Sequence, residues 1–398
     1  MPQKLSFSVI GEPTPELRQL LNEFEQIRNF KLELIKMSWE DAWPKLLAYA
    51  LHGQGPDISH VGSTWVSSLV TMNSLREFST REVETLGGSQ VFTAPAWQSA
   101  TFPGEARVWS MPWSSFTFLV LYRRDHLKTA KIDEHQAFDT PEILLKTIHQ
   151  LRASGFTSPI ALPSGKPFLD RVHIAASWMW AAGGNYISED GRQALLNDPR
   201  TRNGLQSFFE LYRLMSPNDF GLSHEETLAR FRAGDTSMVI VECGYPAIIA
   251  QEYPQSIETT GIHPLPGVPF VSGDNLVIWQ ATRHYPERER LALELISFLV
   301  NRSSQSRFCQ SLGRFPVRYD ALEAIDCEFK QLVPVLKETF ETGRAHKPVH
   351  LWSRYEQQLG HAFDAITVDV LQKASLPVDS ILEIHLSQLQ HRFSLLMG

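Results

Sequence analysis

The feature that most constrains this chain is residues 109–125, which end in Tyr122, Arg123, Arg124 and Asp125. They read as a short strand, a break at Pro112-Trp113, and a long apolar strand from Phe116 onward. Proline fixes φ and removes a backbone donor, so it ends pairing on one sheet. In a chain of 398 residues, such a break between two β runs predicts a crossing from one lobe to another. Trp113 then falls where the lobes meet, a position that ligand clefts favour.

A chain of this length exceeds one ordinary core and implies two or three domains. Its hydrophobic fraction of 43% and charged fraction of 20% are those of a globular protein. A net charge of −7 supplies no basic field, which argues against a nucleic-acid partner. Cys243, Cys309 and Cys327 are far apart and form no CxxC, so neither zinc nor a disulfide framework is signalled. No run reaches the roughly 20 apolar residues of a membrane span. The first residues, Met1 to Leu5, show neither an apolar signal core nor a lipidation cysteine. The expectation is therefore either a targeting segment removed from a periplasmic or extracellular protein, or work in the cytoplasm.

The opening of the chain reads as βαβ. Leu5, Phe7 and Val9 alternate; Thr14 caps a helix with Pro15 at its first position. Leu17, Leu20, Leu21, Phe24 and Ile27 share one helical face, and Phe30, Leu32 and Leu34 alternate again. A helix over 40–52, a turn at Gly55-Pro56-Asp57 and a short strand over 58–61 come next. Strands alternating with helices argue for a mainly parallel sheet. Beyond Trp113, helices are expected from Thr140 to Ala153, over 168–182, from Asp198 to Met215, and from Ser223, whose spacing to Glu226 is that of a capping box. Residues 263–269, with three prolines, read as a second crossing. From Ala321 the chain reads as almost wholly helical.

Several stretches resemble the family 1 extracellular solute-binding proteins of sugar ABC transporters, the group that includes maltose-binding protein. Gly55-Pro56-Asp57-Ile58 followed by Ser63-Thr64-Trp65 is similar to the family's Ala-Pro-Asp-Val strand and the cleft loop after it. Met111-Pro112-Trp113 with Leu121-Tyr122-Arg123-Arg124-Asp125 resembles its first hinge and the strand beyond it. Gly183-Gly184-Asn185-Tyr186, Phe231-Arg232-Ala233-Gly234, Pro264-Leu265-Pro266-Gly267 with Gly273-Asp274-Asn275-Leu276, and Gly313-Arg314-Phe315-Pro316-Val317-Arg318 continue the likeness in order. Gly244-Tyr245-Pro246 departs from the family's Gly-Pro-Trp and moves the aromatic.

The resemblance implies an α/β, two-lobed periplasmic-binding-protein-like fold of type II. Each lobe would hold a mixed, mainly parallel sheet, with a hinge between lobes and a helical C-terminus. Residues 1–113 plus 271–320 are expected to form the N-terminal lobe and 114–270 plus 321–398 the C-terminal lobe. Crossings would lie near 110–116, 263–272 and 316–322. The expected function is capture of a sugar or small oligosaccharide by hinge closure, for delivery to the permease subunits of an ABC transporter, by a monomer. A cytoplasmic or fused sugar sensor and a carbohydrate-acting enzyme are the alternatives.

A sugar offers an apolar ring face and a rim of hydroxyls, so its site needs flat aromatics and planar polar groups. Loops after strands supply the candidates, since open α/β sheets bind ligands there. They are Glu12, Ser63, Thr64, Trp65, Trp113, Asn185, Tyr245, Asp274, Asn275, Arg314 and Trp352. For Trp65, Trp113 and Trp352 packing in the core competes with stacking on a sugar; for Asn185, Asp274 and Asn275 a turn role competes. Ser164-Gly165-Lys166 is no phosphate loop, because Ile160 and Pro167 stand where glycine and a hydroxyl residue are required. HExxH, G-x-S-x-G and dinucleotide fingerprints do not occur. No metal, cofactor or catalytic group is expected.

Overall fold

A computed structural model describes residues 4–28, 30–101, 106–165, 169–325, 330–346, 349 and 352–397. Cys327, Phe168 and most of the break before Trp352 lie outside the described residues. The chain divides into two compact units. The first holds Met1–Phe116, Val271–Asp326 and Ala345–Ser353; the second holds Thr117–Phe270, Cys327–Arg344 and Arg354–Gly398. Residues 345–353 thus return to the first unit, whereas the sequence pattern assigns everything after 320 to the second. Ser353 is tied there by a 3.0 Å hydrogen bond between its hydroxyl and that of Ser68.

Seven strands run through the described residues: β1 (Lys4–Ile10), β2 (Lys31–Met37), β3 (Ile58–Gly62), β4 (Met111–Arg123), β5 (Met238–Glu242), β6 (Thr260–Pro264) and β7 (Val271–Ile278). In the first unit the order is β2-β1-β3-β7, with the start of β4 beside β7. β1 is parallel to β2, from Lys4↔Lys31 to Ile10↔Met37, and to β3 at Phe7↔Ile58. β7 returns antiparallel to β3, pairing Gly62 with Asp274. A Cβ on Gly273 would collide with the Ser114 carbonyl oxygen, so only glycine lets β4 and β7 approach.

The helix Pro15–Arg28 starts at Thr14, whose hydroxyl accepts the Leu17 N–H at 3.1 Å. It buries Leu17, Leu20, Leu21 and Phe24 beside Leu5 and Phe7 of β1. The helix Pro286–Leu299 adds Leu291, Leu295, Ile296 and Leu299 to that core. A second cluster, with Ala42, Leu46, Val61, Leu69 and Trp279, forms around the helix Trp39–His52. The buried Asp57 carboxylate secures the β1–β3 junction, accepting the Ser6 N–H and hydroxyl at 2.9 Å and pairing with Arg288.

Pro112 does not break the chain's pairing. β4 runs unbroken from Met111 to Arg123, and the passage between units falls between Phe116 and Thr117 inside it. The proline carbonyl accepts a hydrogen bond of 3.3 Å from the Gln305 side chain. Residues 263–269 likewise contain strand: β6 ends at Pro264, and the next passage comes after Phe270.

In the second unit β5 and β6 flank β4, and both run antiparallel to it, at Leu119↔Val241 and Leu119↔Pro264. The parallel pairs of named strands therefore lie in the first unit, and the sheet character overall is mixed. The helix Asp170–Ala181 is buried along almost its whole length, from Arg171 to Trp180. It lies so close to the helix Pro199–Arg213 that a Cβ on Gly204 would strike the Met179 backbone. Ser223 and Glu226 form the capping box that their spacing predicts. The C-terminal helices Trp352–Gln372 and Val378–Met397 complete the fold.

Candidate functional site

Parallel β1, β2 and β3 point their C-terminal ends the same way, and the segments that leave β2 and β3 build the site. β2 ends at Met37; Ser38 caps the next helix by accepting the Asp41 N–H, and Trp39 is that helix's first residue. β3 ends at Gly62 and passes into the single turn Ser63–Trp65. Trp39 and Trp65 therefore meet, with ring centroids 5.7 Å apart at 62°, and Trp43 tilts against Trp65 at 5.6 Å. Trp39 is 45% exposed, unusual for so large an apolar ring. Trp65 and Thr64 are half-buried beside it, and Ser63 is buried, its hydroxyl 3.0 Å from that of Ser272.

Arg314 joins this group from the end of the helix Arg302–Leu312. Gly313 closes that helix at φ 64°, a left-handed cap that suits glycine, and delivers Arg314 next. The guanidinium carbon stands 5.3 Å from the Phe116 ring centroid and 5.9 Å from that of Trp39, within cation–π range. An Arg314 Nη1 hydrogen bond to Asp274 Oδ2 fixes it, and the Ser114 hydroxyl donates to the same oxygen at 2.9 Å.

Beneath lies His60, buried in β3. Its Nδ1 accepts the Ile10 N–H at 3.2 Å, so the proton of the neutral ring sits on Nε2, which is 3.3 Å from Asp274 Oδ2. Burial, and then the charge of Arg314, push the His60 pKa down to about 3. The ring is neutral at ordinary pH. Arg314 thus pairs with Asp274 beside a neutral His60, and its guanidinium faces Trp39 and Phe116.

The structure brings Ser63, Thr64, Trp65, Asp274 and Arg314 into one region of the first unit. Asp274 is buried and acts through Arg314. Asn275 is buried too; its amide donates to the Ser99 and Ser110 hydroxyls at 3.0 and 2.8 Å, which is structural work. Trp113 is a correction to the stacking role: its exposure is 0%. Phe308 stacks on it at 3.9 Å and 7°, while Phe7 and His60 crowd it at 6.1 and 5.2 Å. No face is left for a sugar. Trp352 is buried against His346 at 4.4 Å and lines a small pocket with Ser63, Thr64 and Ser272.

Glu12 is exposed and paired with Lys36 at 2.8 Å, a hydrogen bond that lowers its pKa. In the second unit, Asn185 is occupied by its own loop: Thr201 Oγ1 accepts its N–H at 3.0 Å and its side-chain oxygen accepts the Tyr186 N–H at 3.0 Å. Tyr245 opens the helix Tyr245–Glu252 after β5, half-buried beside the His224 ring at 4.9 Å. Burial, helped by Glu242 and Glu225, raises its pKa, so it remains a neutral donor.

Sequence reasoning missed Trp39, Phe116 and His60. Trp39 comes after β2 as Trp65 comes after β3, and that parallel was a readable signal. His60 sits between Ser59 and Val61 inside a strand and carries no such mark. Among the described residues no three histidine, cysteine or acidic side chains group as a metal site. No helix among them is long and apolar enough to cross a membrane.

The chain is similar in fold to several solved structures. One is the sugar-binding protein MalE from Xanthomonas citri, at 18% identity over 99% of this chain and 97% of that one, with a TM-score of 0.82. Another is maltose-bound T. maritima MalE3, at 18% identity over 99% of both chains and a TM-score of 0.78. A third is an ABC transporter solute-binding protein from Thermotoga lettingae bound with α-D-tagatose, at 17% identity over 100% of both chains and a TM-score of 0.78. None of the curated proteins compared matches in sequence. Likeness at these identities establishes the fold, an α/β architecture common to such binding proteins. The model of the bacterial extracellular solute-binding protein family matches residues 19–334, and the chain belongs to that family.

Proposed function

We propose that the protein captures a sugar or a short oligosaccharide outside the cytoplasmic membrane and hands it, chemically unchanged, to the permease of an ABC transporter. The observation that carries this reading is the exposed Trp39 beside Trp65 and the aromatic-flanked Arg314. Indole faces suit the C–H faces of a pyranose, and a guanidinium held beside them suits its rim of hydroxyls. The solved sugar-binding proteins of the same fold support the ligand class. A ligand that binds one conformation of the protein more tightly than another shifts the population toward it, and the permease can read that conformation.

The test is a titration of the purified protein with a library of mono- and oligosaccharides, followed by melting temperature and solution radius. Capture predicts a raised melting temperature for at least one sugar, a smaller radius with that sugar, and its recovery unaltered. A library that moves neither quantity sinks the proposal, and turnover of the sugar would replace it with an enzymatic one.

A further inference from the structure

Among the described residues, every buried or half-buried arginine but one is held by a carboxylate or by backbone carbonyls. Arg76, Arg123, Arg124, Arg171, Arg202, Arg230, Arg288, Arg307, Arg314 and Arg318 each pair with an acid, and Arg213 donates to two carbonyls. Arg344 is the exception. Its side chain is half-buried, yet its guanidinium has no hydrogen bond and no ion pair; its one close partner is the Trp180 ring, 5.0 Å from the guanidinium carbon. A partly desolvated cation without an acceptor is unfavourable, and a folded protein keeps few of them.

The backbone of Arg344 is anchored. Its backbone N–H donates to the Pro269 carbonyl at 2.8 Å, in a parallel bridge with Phe270. The Phe270 ring stacks on His173 at 4.5 Å and 13° and lies 6.2 Å from Trp180. Burial lowers the Arg344 pKa, and only the field of Glu189 opposes that shift. The guanidinium thus presents its N–H donors beside Trp180 with no protein acceptor among the described residues, open to solvent or to a ligand. A guanidinium fork matches a carboxylate in two parallel hydrogen bonds. One guanidinium balances one negative charge, whereas a phosphate monoester carries about −1.5 to −2. With a net charge of −7 the chain as a whole repels anions, so any preference for one must be local.

We infer that the second unit carries a carboxylate subsite, with Arg344 as its anchor and Trp180 as the support, and that the preferred ligand is an acidic saccharide bearing a uronate-type group. This rests on the sugar-capture reading.

The experiment is calorimetric titration of wild type, Arg344→Gln and Arg344→Lys with matched pairs: an oligouronate and its neutral counterpart, with sulfated and phosphorylated versions alongside. Wild type is expected to bind the uronate at least tenfold more tightly than the neutral sugar. Arg344→Gln should reduce that ratio to near one, and Arg344→Lys, which keeps charge but not the fork, should fall between. Melting temperatures of the variants establish that they fold. Equal binding of neutral and acidic sugars, a preference for the phosphate or sulfate ester, or an unchanged ratio in Arg344→Gln overturns the inference and leaves sugar capture standing. Should no sugar bind, capture itself fails. The subsite is then judged by melting shifts with citrate or succinate, and equal shifts in wild type and Arg344→Gln, or none in either, refute it.

Discussion

Asp274 holds Arg314 from below: a carboxylate buried between β3 and β4 orients a guanidinium whose faces meet Trp39 and Phe116. The acid reaches no solvent, so its contribution to the site is the placement of the cation. Removing one member of such a pair leaves the other uncompensated, which typically costs about 3–5 kcal/mol. Arg314 is 18% exposed and can recover part of its hydration, so Asp274→Ala should lie at or below the bottom of that range. Urea unfolding of Asp274→Ala at pH 7 measures it. A loss under about 0.5 kcal/mol, the level of an ordinary surface change, would mean the pair does not anchor the site.

His60 and His173 set the acid side of the stability profile. Burial pushes both pKa values down to about 3, with the Arg314 charge adding to the effect on His60. Unfolded histidine titrates near 6.5. Between about pH 6.5 and 3 the unfolded chain binds protons that the folded chain refuses, so stability falls as pH falls. The two contributions are fully present above about pH 6.5 and lost progressively below it. Each histidine is expected to add roughly 1 kcal/mol per pH unit to the slope in that window. Unfolding midpoints from pH 7 to 4 check this: His60→Gln should have a shallower slope than wild type, and parallel curves would show that His60 is not a buried neutral base.

Trp39 and Trp113 separate binding from packing. Trp39 is 45% exposed, whereas Trp113 is enclosed by Phe308, Phe7 and His60. Trp39→Ala should weaken sugar binding tenfold or more, about 1.4 kcal/mol, with a change in stability near 1 kcal/mol. Trp113→Ala should cost about 3–5 kcal/mol of stability, as aromatic truncations in cores do. Its folded fraction should lose far less affinity than Trp39→Ala. Intrinsic fluorescence gives both readings on one sample, and the reverse ordering would relocate the sugar platform.

Much of the frame was legible in the sequence because alternation and capping act locally. β1, β2 and β3, the Thr14 cap and the Ser223–Glu226 box depend on neighbours a few residues away. Position within a site depends on distant partners. Trp113 looked like a cleft aromatic because it stands after a proline in a strand, but Phe308 on a helix some 195 residues later covers it. Pro112 looked like a strand end because it lacks a donor; β4 continues through it all the same. Arg314 was legible from its motif, whereas the Asp274 that holds it and the Trp39 it faces come from two other segments that only the fold brings near.

Gly313 offers the sharpest local test of how the site is aimed. Its φ of 64° closes the helix Arg302–Leu312, its N–H donates back to that helix, and the Arg314 N–H donates to the Cys309 carbonyl at 2.9 Å. The cap therefore fixes the direction in which Arg314 leaves. A left-handed conformation costs a residue with a Cβ roughly 1–2 kcal/mol, and asparagine less than alanine. Gly313→Ala should lower stability by about that amount and Gly313→Asn by less. If the chain answers the strain by opening the cap, Arg314 shifts relative to Trp39, and sugar affinity falls in the same order, Ala below Asn below wild type. Stability and affinity measured on the two variants decide between strain alone and strain with misdirection. Equal stability of all three proteins would show that the cap does not hold the arginine in place.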